Sequence, residues 1–576
     1  MSKGLLVCYR RAPGIINMGA LADILSDKLI PDNIVPNTPK VSTSNKLALA
    51  VLNPTDAIPS FQTSACVGVM IGSPRDWWRP LAPAPDGCFA IFRSDDAYVE
   101  LVTDPTASRT IWFMHTDDIF VAATTQRAIV LFLQSYSPNP AAHSWMLSDG
   151  SLGPGQAWDS RLRSVPANGR LLLDRTSWQL IESKTPVAIA PEELSTAEHR
   201  ENLTQAIRNV FDGIHLDLSR WPLTLSGGYD SRCILEMLKQ RQHLSCVTWG
   251  KSSSLDNPDT DAWIARELAD RYDVPHRYFS TDLRADSVSE VLDRFLIAGE
   301  GRSDHLSAYL DGFAAWKNLF DTGAVGVIRG DINFVPAVQS IAEIQAVTGA
   351  NLLTDHDRLK HFSKYWPEQA RPVAMERRPD ETVAMWRDRL GYEYHAATVW
   401  AALNELKCAY VDVLNPFLTA DFIAAACRLP DPLRDGKRLF MKIVRELCAD
   451  VPYATRPAIE SLPSALTHPV VASHLAEELN SGWALDVLPG EVVERCIGAM
   501  VVDKDGCAPS KPRLGFYRSA KALIPKQLRQ RVYKKLRPTA LHPNVVAFRA
   551  YIISRMHRML KEDALALQVE LRQVGT

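Results

Sequence analysis

Through the first 180 or so residues, apolar positions come in short runs broken by Pro, Gly, Asn and Asp: GCFAIFRS at 87–94, AYVELVTD at 97–104, TIWFMHTDDIFVAAT at 110–124 and GRLLLD at 169–174. Alternation punctuated by turn formers predicts a mainly antiparallel sheet with few helices. From about 195 the texture changes. Helical periods such as STAEHRENLTQAIRNVFDGI now alternate with short apolar strands, the βα pattern of a parallel sheet. The stretch KTPVAIAPEE, with two prolines and no periodicity, marks a boundary near 185–195. A first domain is therefore placed at 1–190 and a second at 191–460. Beyond 460 the signal weakens into a basic stretch, KQLRQRVYKKLRP at 526–538, and a final amphipathic helix. Residues 461–576 read as a mainly helical extension of the second domain. No internal repeat or low-complexity tract interrupts the chain.

Composition narrows this little. At 576 residues the chain has room for two or three domains, because single cores stop growing at roughly 250–300 residues. Apolar residues make 46% and charged residues 23%, with 64 Lys+Arg against 66 Asp+Glu, the balance of an ordinary soluble protein. Bulk charge gives no reason to expect a nucleic-acid partner. The start, MSKGLLVCYRRAPGIINMG, lacks a sustained apolar segment before a cleavage site, and no stretch approaches 18 apolar residues. The expectation is a cytoplasmic protein without a membrane partner. No two of the ten cysteines form a CxxC pair, which disfavours a zinc ribbon or thioredoxin-type site. They are expected to be small buried hydrophobes.

The chemistry is concentrated at 221–233. WPLTLSGG places a short strand directly before a Ser-Gly-Gly turn, and SRCILEMLKQ then carries Ile234, Leu235 and Leu238 at helical spacing. A glycine-rich loop at the carboxyl end of a strand and the amino end of a helix lets backbone N–H groups close around an anion, with the helix dipole adding favourable potential. Leu225, Ser226, Gly227, Gly228, Asp230 and Ser231 are the nucleotide-binding candidates, the two serines as hydroxyl donors and Asp230 as a ligand for Mg2+ on the phosphates. The strand SCVTWG and helix DAWIARELADRY continue the alternation. Gly250-Lys251-Ser252 is not a Walker A loop, because the glycine five residues ahead is missing.

SGGYDS resembles the SGGxDS pyrophosphate loop of ATP-pyrophosphatases, specifically of asparagine synthetase relatives, and the likeness extends over most of the chain. The segment from Pro85 to Ile129 resembles that family's glutaminase-like amino-terminal domain, and RSVPANGRLLLD its closing strand. AVGVIRGDINF at 324–334 resembles its second active-site loop, and DVLNPFLTADFIAAACRLP at 412–430 its VPFLD segment. The resemblance implies an α/β protein: a glutaminase-like (Ntn-type) antiparallel-sheet domain followed by an ATP-pyrophosphatase (HUP-like) parallel-sheet synthetase domain, with ATP and Mg2+ as cofactors. Gly330 matches the family's glycine beside the nucleotide. Asp331 takes the place of its glutamate, a carboxylate that can orient the amine or accept a proton. The further acid three residues on is replaced by Phe334, so Asp230 becomes the principal protein ligand for the metal. In GKRLFMKIVREL the family's charge-stabilising lysine matches Arg438, with Lys442 one turn later. Both are assigned to that role, while Lys437 and Arg445 are read as solvated.

A working glutaminase of this family exposes an amino-terminal cysteine. Here that position is Ser2, and Cys8 lies inside the first strand, so glutamine is not the expected nitrogen source. Relatives that lost this cysteine include β-lactam synthetases and lasso peptide cyclases, and the basic carboxyl-terminal region together with Arg232 resembles the cyclases more. In such enzymes a side-chain carboxylate of a precursor peptide is adenylated and attacked by the peptide's own amino terminus, which implies a precursor peptide, a leader peptidase and a leader-binding protein as partners. A small-molecule amide or β-lactam synthetase, and a nucleotide-binding scaffold without chemistry, are the alternatives.

Overall fold

The computed structural model describes residues 2–11, 17–72, 74–284, 287–331, 340–503 and 541–574, with side chains to residue 566. Phe334, Cys507 and the basic stretch 526–538 lie outside the described residues.

The molecule is a mixed α/β protein built on two antiparallel sheets and one parallel sheet. The first sheet runs in the order Arg163–Ser164, Trp112–His115, Ile119–Ala123, Lys3–Tyr9, Leu47–Leu52, Lys40–Ser44. The second runs Leu180–Lys184, Gly169–Asp174, Tyr98–Thr103, Asp86–Ser94, Ser64–Ile71, Ser60–Phe61. The period of two decides which residues meet. Leu6 and Cys8 face the second sheet, where they join Val67, Phe92, Leu101 and Leu171. Leu5 and Val7 point the opposite way, onto Leu21 and Leu25 of the helix Met18–Leu29. Because both faces of Lys3–Tyr9 are covered, its sequence is a continuous apolar run rather than an alternating one.

The parallel sheet has the order His276–Ser280, Cys246–Gly250, Leu223–Thr224, Gly326–Ile328, Asp412–Leu414. Val247, Val327 and Val413 pack on one face, with Val288–Gly299, Ala401–Cys408 and the long helix Pro543–Val574. Cys246, Leu223, Ile328 and Leu414 pack on the other, with Thr196–Asp212, Tyr229–Leu238, Asp261–Arg271 and Arg438–Leu447. The last helix does not bury one stripe as an amphipathic surface helix would. Ala547, Phe548, Ala550, Tyr551, Ile552 and Ile553 are all inaccessible, so neighbours surround its first turns, and Glu562 and Leu565 are exposed further along. Among the described residues no helix is long and apolar enough to cross a membrane. The nine described cysteines form no disulfide among themselves and are buried except for the partly exposed Cys448.

Charged groups tie the antiparallel sheets to the parallel one. Lys3 Nζ meets Glu405 Oε1 at 2.9 Å, with side-chain exposures of 1% and 2%. Arg109 donates to the Ser2 carbonyl at 2.8 Å and stands 3.8 Å from Asp412. Burial by itself would raise the Glu405 carboxyl, but Lys3 and Arg109 overcome it and hold it at about 2. Glu300 caps the helix Gln126–Leu133, accepting from the amides of Gln126 and Arg127 at 3.1 Å each and from the Thr125 hydroxyl. Replacing Glu405 by Gln leaves Lys3 and Arg109 buried without its charge and should cost about 3–5 kcal/mol in urea unfolding. The folded carboxyl sits at about 2, below an ordinary 4.5. Its contribution is thus complete above the upper value and disappears as pH falls through the lower one. Glu405→Gln should lack that acid limb.

Candidate active site

The strand Leu223–Thr224 ends in a turn that enters the helix Tyr229–Leu238. Leu225 keeps the ladder for one residue more, its amide donating to the Val247 carbonyl at 2.9 Å. The turn then braces itself. Ser231 Oγ accepts from the Ser226 amide at 3.0 Å, the two hydroxyl oxygens are 3.0 Å apart, and the Gly228 amide donates to Ser226 Oγ at 3.3 Å. The Gly227 amide donates to Asp261 Oδ1 at 3.1 Å. These donors, expected from the sequence to surround an anion, are therefore engaged within the protein. Gly227 is required for a different reason: a Cβ there would lie 2.4 Å from the Ala454 methyl. Gly228 is the helix N-cap and supplies no capping side chain, so no cap side chain neutralises the positive end of the helix dipole.

A second turn closes on the first. Gly326–Ile328 lies beside Leu223–Thr224, with Ile328 paired to Leu223. This carries Gly330 onto the helix start, so close that a Cβ would fall 2.8 Å from both Asp230 C and Ser231 N. Asp331 follows and is held on two sides. Its carboxylate accepts from Arg329 Nε and, at 3.3 Å, from Asn415 Nδ2, while its amide donates to Asn415 Oδ1 at 3.3 Å. Asn415 is itself buried, directly after the strand Asp412–Leu414.

Leu225, Ser226, Ser231, Gly330 and Asp331 line a cavity of about 490 Å³ together with Asp261, His305, Tyr309, Arg329 and Lys407. Gly227, Gly228 and Asp230 stand outside its wall. Lys407, on the helix Ala401–Cys408, is 3% exposed and donates to the Leu403 carbonyl at 2.6 Å. Among the described residues no carboxylate pairs with it within 4.0 Å. Burial lowers its ammonium to about 7, Arg329 pushes the same way, and Asp331 opposes them. Burial raises Asp261, against the Gly227 amide.

The cations assigned from the sequence are corrected here. Arg438 and Lys442 are exposed, and among the described residues Arg438 reaches Asp435 and the Pro432 carbonyl. The reason is helical phase. Leu439, Phe440, Ile443 and Val444 are buried, which sends 438, 442 and 445 to solvent. Lys437 is the cation that meets the loop: its Nζ donates to Asp230 Oδ2 at 2.6 Å and its side chain is 23% exposed. Two successive left-handed residues, Gly436 at φ 62° and Lys437 at φ 60°, turn it back from the helix start. Arg445 is not merely solvated either, since it bonds the Tyr229 hydroxyl. Arg232 clamps the helix, donating to the Val451 and Pro452 carbonyls at 2.6 Å each and lying 3.8 Å over the Tyr453 ring.

Among the described residues no three His, Cys, Asp or Glu side chains form a metal cage. Mg2+ commonly takes one or two protein carboxylates and completes its shell with water and substrate phosphates. Asp230, which shares Oδ2 with Lys437, fits that donor set.

No family model matches the chain, and no curated protein does. Among solved structures it is similar to a glutamine phosphoribosylpyrophosphate amidotransferase from B. subtilis complexed with ADP and GMP. The identity is 11% and the TM-score 0.20, over 63% of this chain and 88% of that one.

Gly330→Ala would press a methyl into the Asp230–Ser231 backbone and should lower unfolding free energy by about 1–3 kcal/mol. Gly498→Ala, in a helix with open space around it, should raise it by about 0.5–1 kcal/mol. Denaturant melts of the two variants check the contrast.

Proposed function

We propose that the chain is an ATP-dependent, AMP-forming amide ligase, and that its carboxylate and amine both belong to a precursor peptide, closed into a lasso-type macrolactam. The observation that carries the reading is the meeting of three parts: a helix amino terminus within SGGYDS that no side chain caps, the Gly330–Asp331 turn against it, and Lys437 on Asp230.

A carboxylate is a poor electrophile near neutral pH, so its oxygen first attacks the α-phosphate of ATP and expels pyrophosphate. The helix start and Lys437 stabilise the charge that develops on the phosphates. Asp230 would hold Mg2+, which supplies further charge neutralisation when bound. The amine then attacks the acyl carbon and AMP leaves, with Asp331, fixed by Arg329 and Asn415, placed to orient it. Keeping both groups in one cavity makes the second step effectively intramolecular.

Two features favour an amine that arrives with the substrate, and a substrate larger than an amino acid. Ser2 is inaccessible and its hydroxyl donates to the Asn53 carbonyl at 3.0 Å, an engagement that argues against a nucleophile's role. The segment from Pro457 to Ala465 separates the site cavity from a second one of about 500 Å³, lined by Lys251, Asp282, Ser461 and His468. The second cavity adds space beside the site beyond what an amino acid needs. A leader peptidase and a leader-binding protein acting beforehand in the cytoplasm complete the reading.

The test mixes the purified full chain, ATP and Mg2+ with peptides encoded by short reading frames beside its gene, following AMP and product mass. Loss of one water from the peptide, dependent on its free amino terminus, is the expected result. AMP formation with small amino acids alone would replace the peptide by a small-molecule substrate, and no AMP with either would sink the ligase. Lys437→Met should slow adenylation about a hundredfold or more, whereas Arg438→Met and Lys442→Met should stay close to wild type.

A further inference from the structure

A buried lysine is rare unless paired, because desolvating an ammonium is expensive. Lys407 is buried and lacks an ion-pair partner among the described residues, so the fold bears a cost that helix packing alone does not require: the helix Ala401–Cys408 already buries Ala402, Leu406 and Cys408. The same side chain forms part of the wall of the site cavity, in company with Arg329, Gly330 and Asp331. An unpaired buried amine at the place where an acyl-adenylate meets an amine has an evident chemical use.

Resting on the ligase reading, we propose that Lys407 is the catalytic base that takes a proton from the substrate's α-ammonium group and thereby makes it a nucleophile. The groups that act on it are Arg329 and Asp331, from the turn after Gly326–Ile328, and Cys408 beside it. Arg329 keeps the amine neutral before the step, and Asp331 steadies the ammonium formed by it. An α-amino group ordinarily titrates near 7.7–8.0, and Lys407 sits at about 7, so the transfer is uphill by about one unit, the near-match that general-base catalysis uses. One proton passes to Lys407 Nζ. The freed nitrogen lone pair forms the C–N bond, the acyl C–O bond breaks, and its electron pair leaves with AMP together with the nitrogen's remaining excess proton.

The experiment separates the half-reactions in the full chain with the peptide that loses water in the assay above. Exchange of labelled pyrophosphate into ATP reads adenylation, and product mass reads amide formation. Wild-type amide formation should rise as pH passes about 7. Lys407→Met should keep exchange near wild type, which also shows that it folds, while amide formation falls about a hundredfold and loses that pH limb. Lys407→Arg should not rescue it, because a guanidinium stays charged. Hydroxylamine, already neutral near pH 7, should give the hydroxamate at similar rates with wild type and Lys407→Met.

Amide formation at wild-type rate in either variant overturns the assignment, as does an equal fall in exchange and amide formation. Absence of exchange in the wild type with every peptide and amino acid overturns the ligase reading itself, and the base with it. One measurement stands without any substrate. Competitive acetylation followed by mass spectrometry should show Lys407 reacting with a midpoint near 7 rather than the 10.5 of an ordinary lysine, and an ordinary midpoint overturns the base.

Discussion

Two parallel strands that end side by side set the geometry on which the site depends. Leu223 is paired to Ile328, so the turns that follow the two strands have no room to diverge, and the backbone of Gly330 is pressed against the first helical turn at Asp230 and Ser231. Everything placed at the carboxyl edge of the sheet inherits its position from that contact. Asp331 is one residue beyond it, and Asn415, which orients Asp331, follows the next strand in the sheet. Open parallel sheets gather ligands at this edge because each strand delivers a turn there and each following helix brings its amino terminus. Here that geometry is tightened by one glycine.

The sheet's surroundings explain why charges are buried so freely. The antiparallel sheets meet the parallel one through Lys3–Glu405, Arg109–Asp412 and the cap that Glu300 places on Gln126–Leu133. Each pays a desolvation cost, and each is compensated by a partner or by backbone donors. Such contacts are directional, unlike apolar packing, and they fix how the helix Ala401–Cys408 sits against the strand Lys3–Tyr9. Lys407 is two residues from Glu405 on that helix. The ion pair that docks the amino-terminal strand thus also sets the depth at which Lys407 meets the cavity.

The strands were readable because their apolar runs are bounded by turn formers. GCFAIFRS, AYVELVTD and GRLLLD appear as Asp86–Ser94, Tyr98–Thr103 and Gly169–Asp174, and TIWFMHTDDIFVAAT as the hairpin Trp112–His115 and Ile119–Ala123. The SGGYDS turn was readable for the same reason, as a strand, glycines and a helix in succession. The inner commitments of its backbone were not, because Asp261 takes the Gly227 amide and the Ala454 amide donates to the Gly227 carbonyl, both from distant parts of the chain. The cation on Asp230 was missed through phase. A helix reading beginning at GKRLF treats 437 as one more exposed position, whereas the Gly436-Lys437 pair is a left-handed turn. A glycine two residues ahead of the helix was the available signal. Lys407 carried no signal at all, because a lysine inside AALNELKCAY looks like the polar stripe of an ordinary helix.

The two lysines show how one side-chain type is given opposite electrostatic characters. Lys437 is partly solvated and bonded to a carboxylate, which holds it at the mouth of the loop against Asp230. Lys407 is desolvated and is acted on by the guanidinium of Arg329, with Asp331 and Cys408 opposing. Its charge is therefore conditional on what occupies the cavity. Helix phase decides between these fates, since a rotation of Ala401–Cys408 by one position would exchange Lys407 for Leu406 or Cys408 at the cavity wall. The Lys3–Glu405 contact, two residues earlier on the same helix, opposes that rotation with the desolvation cost of two separated charges.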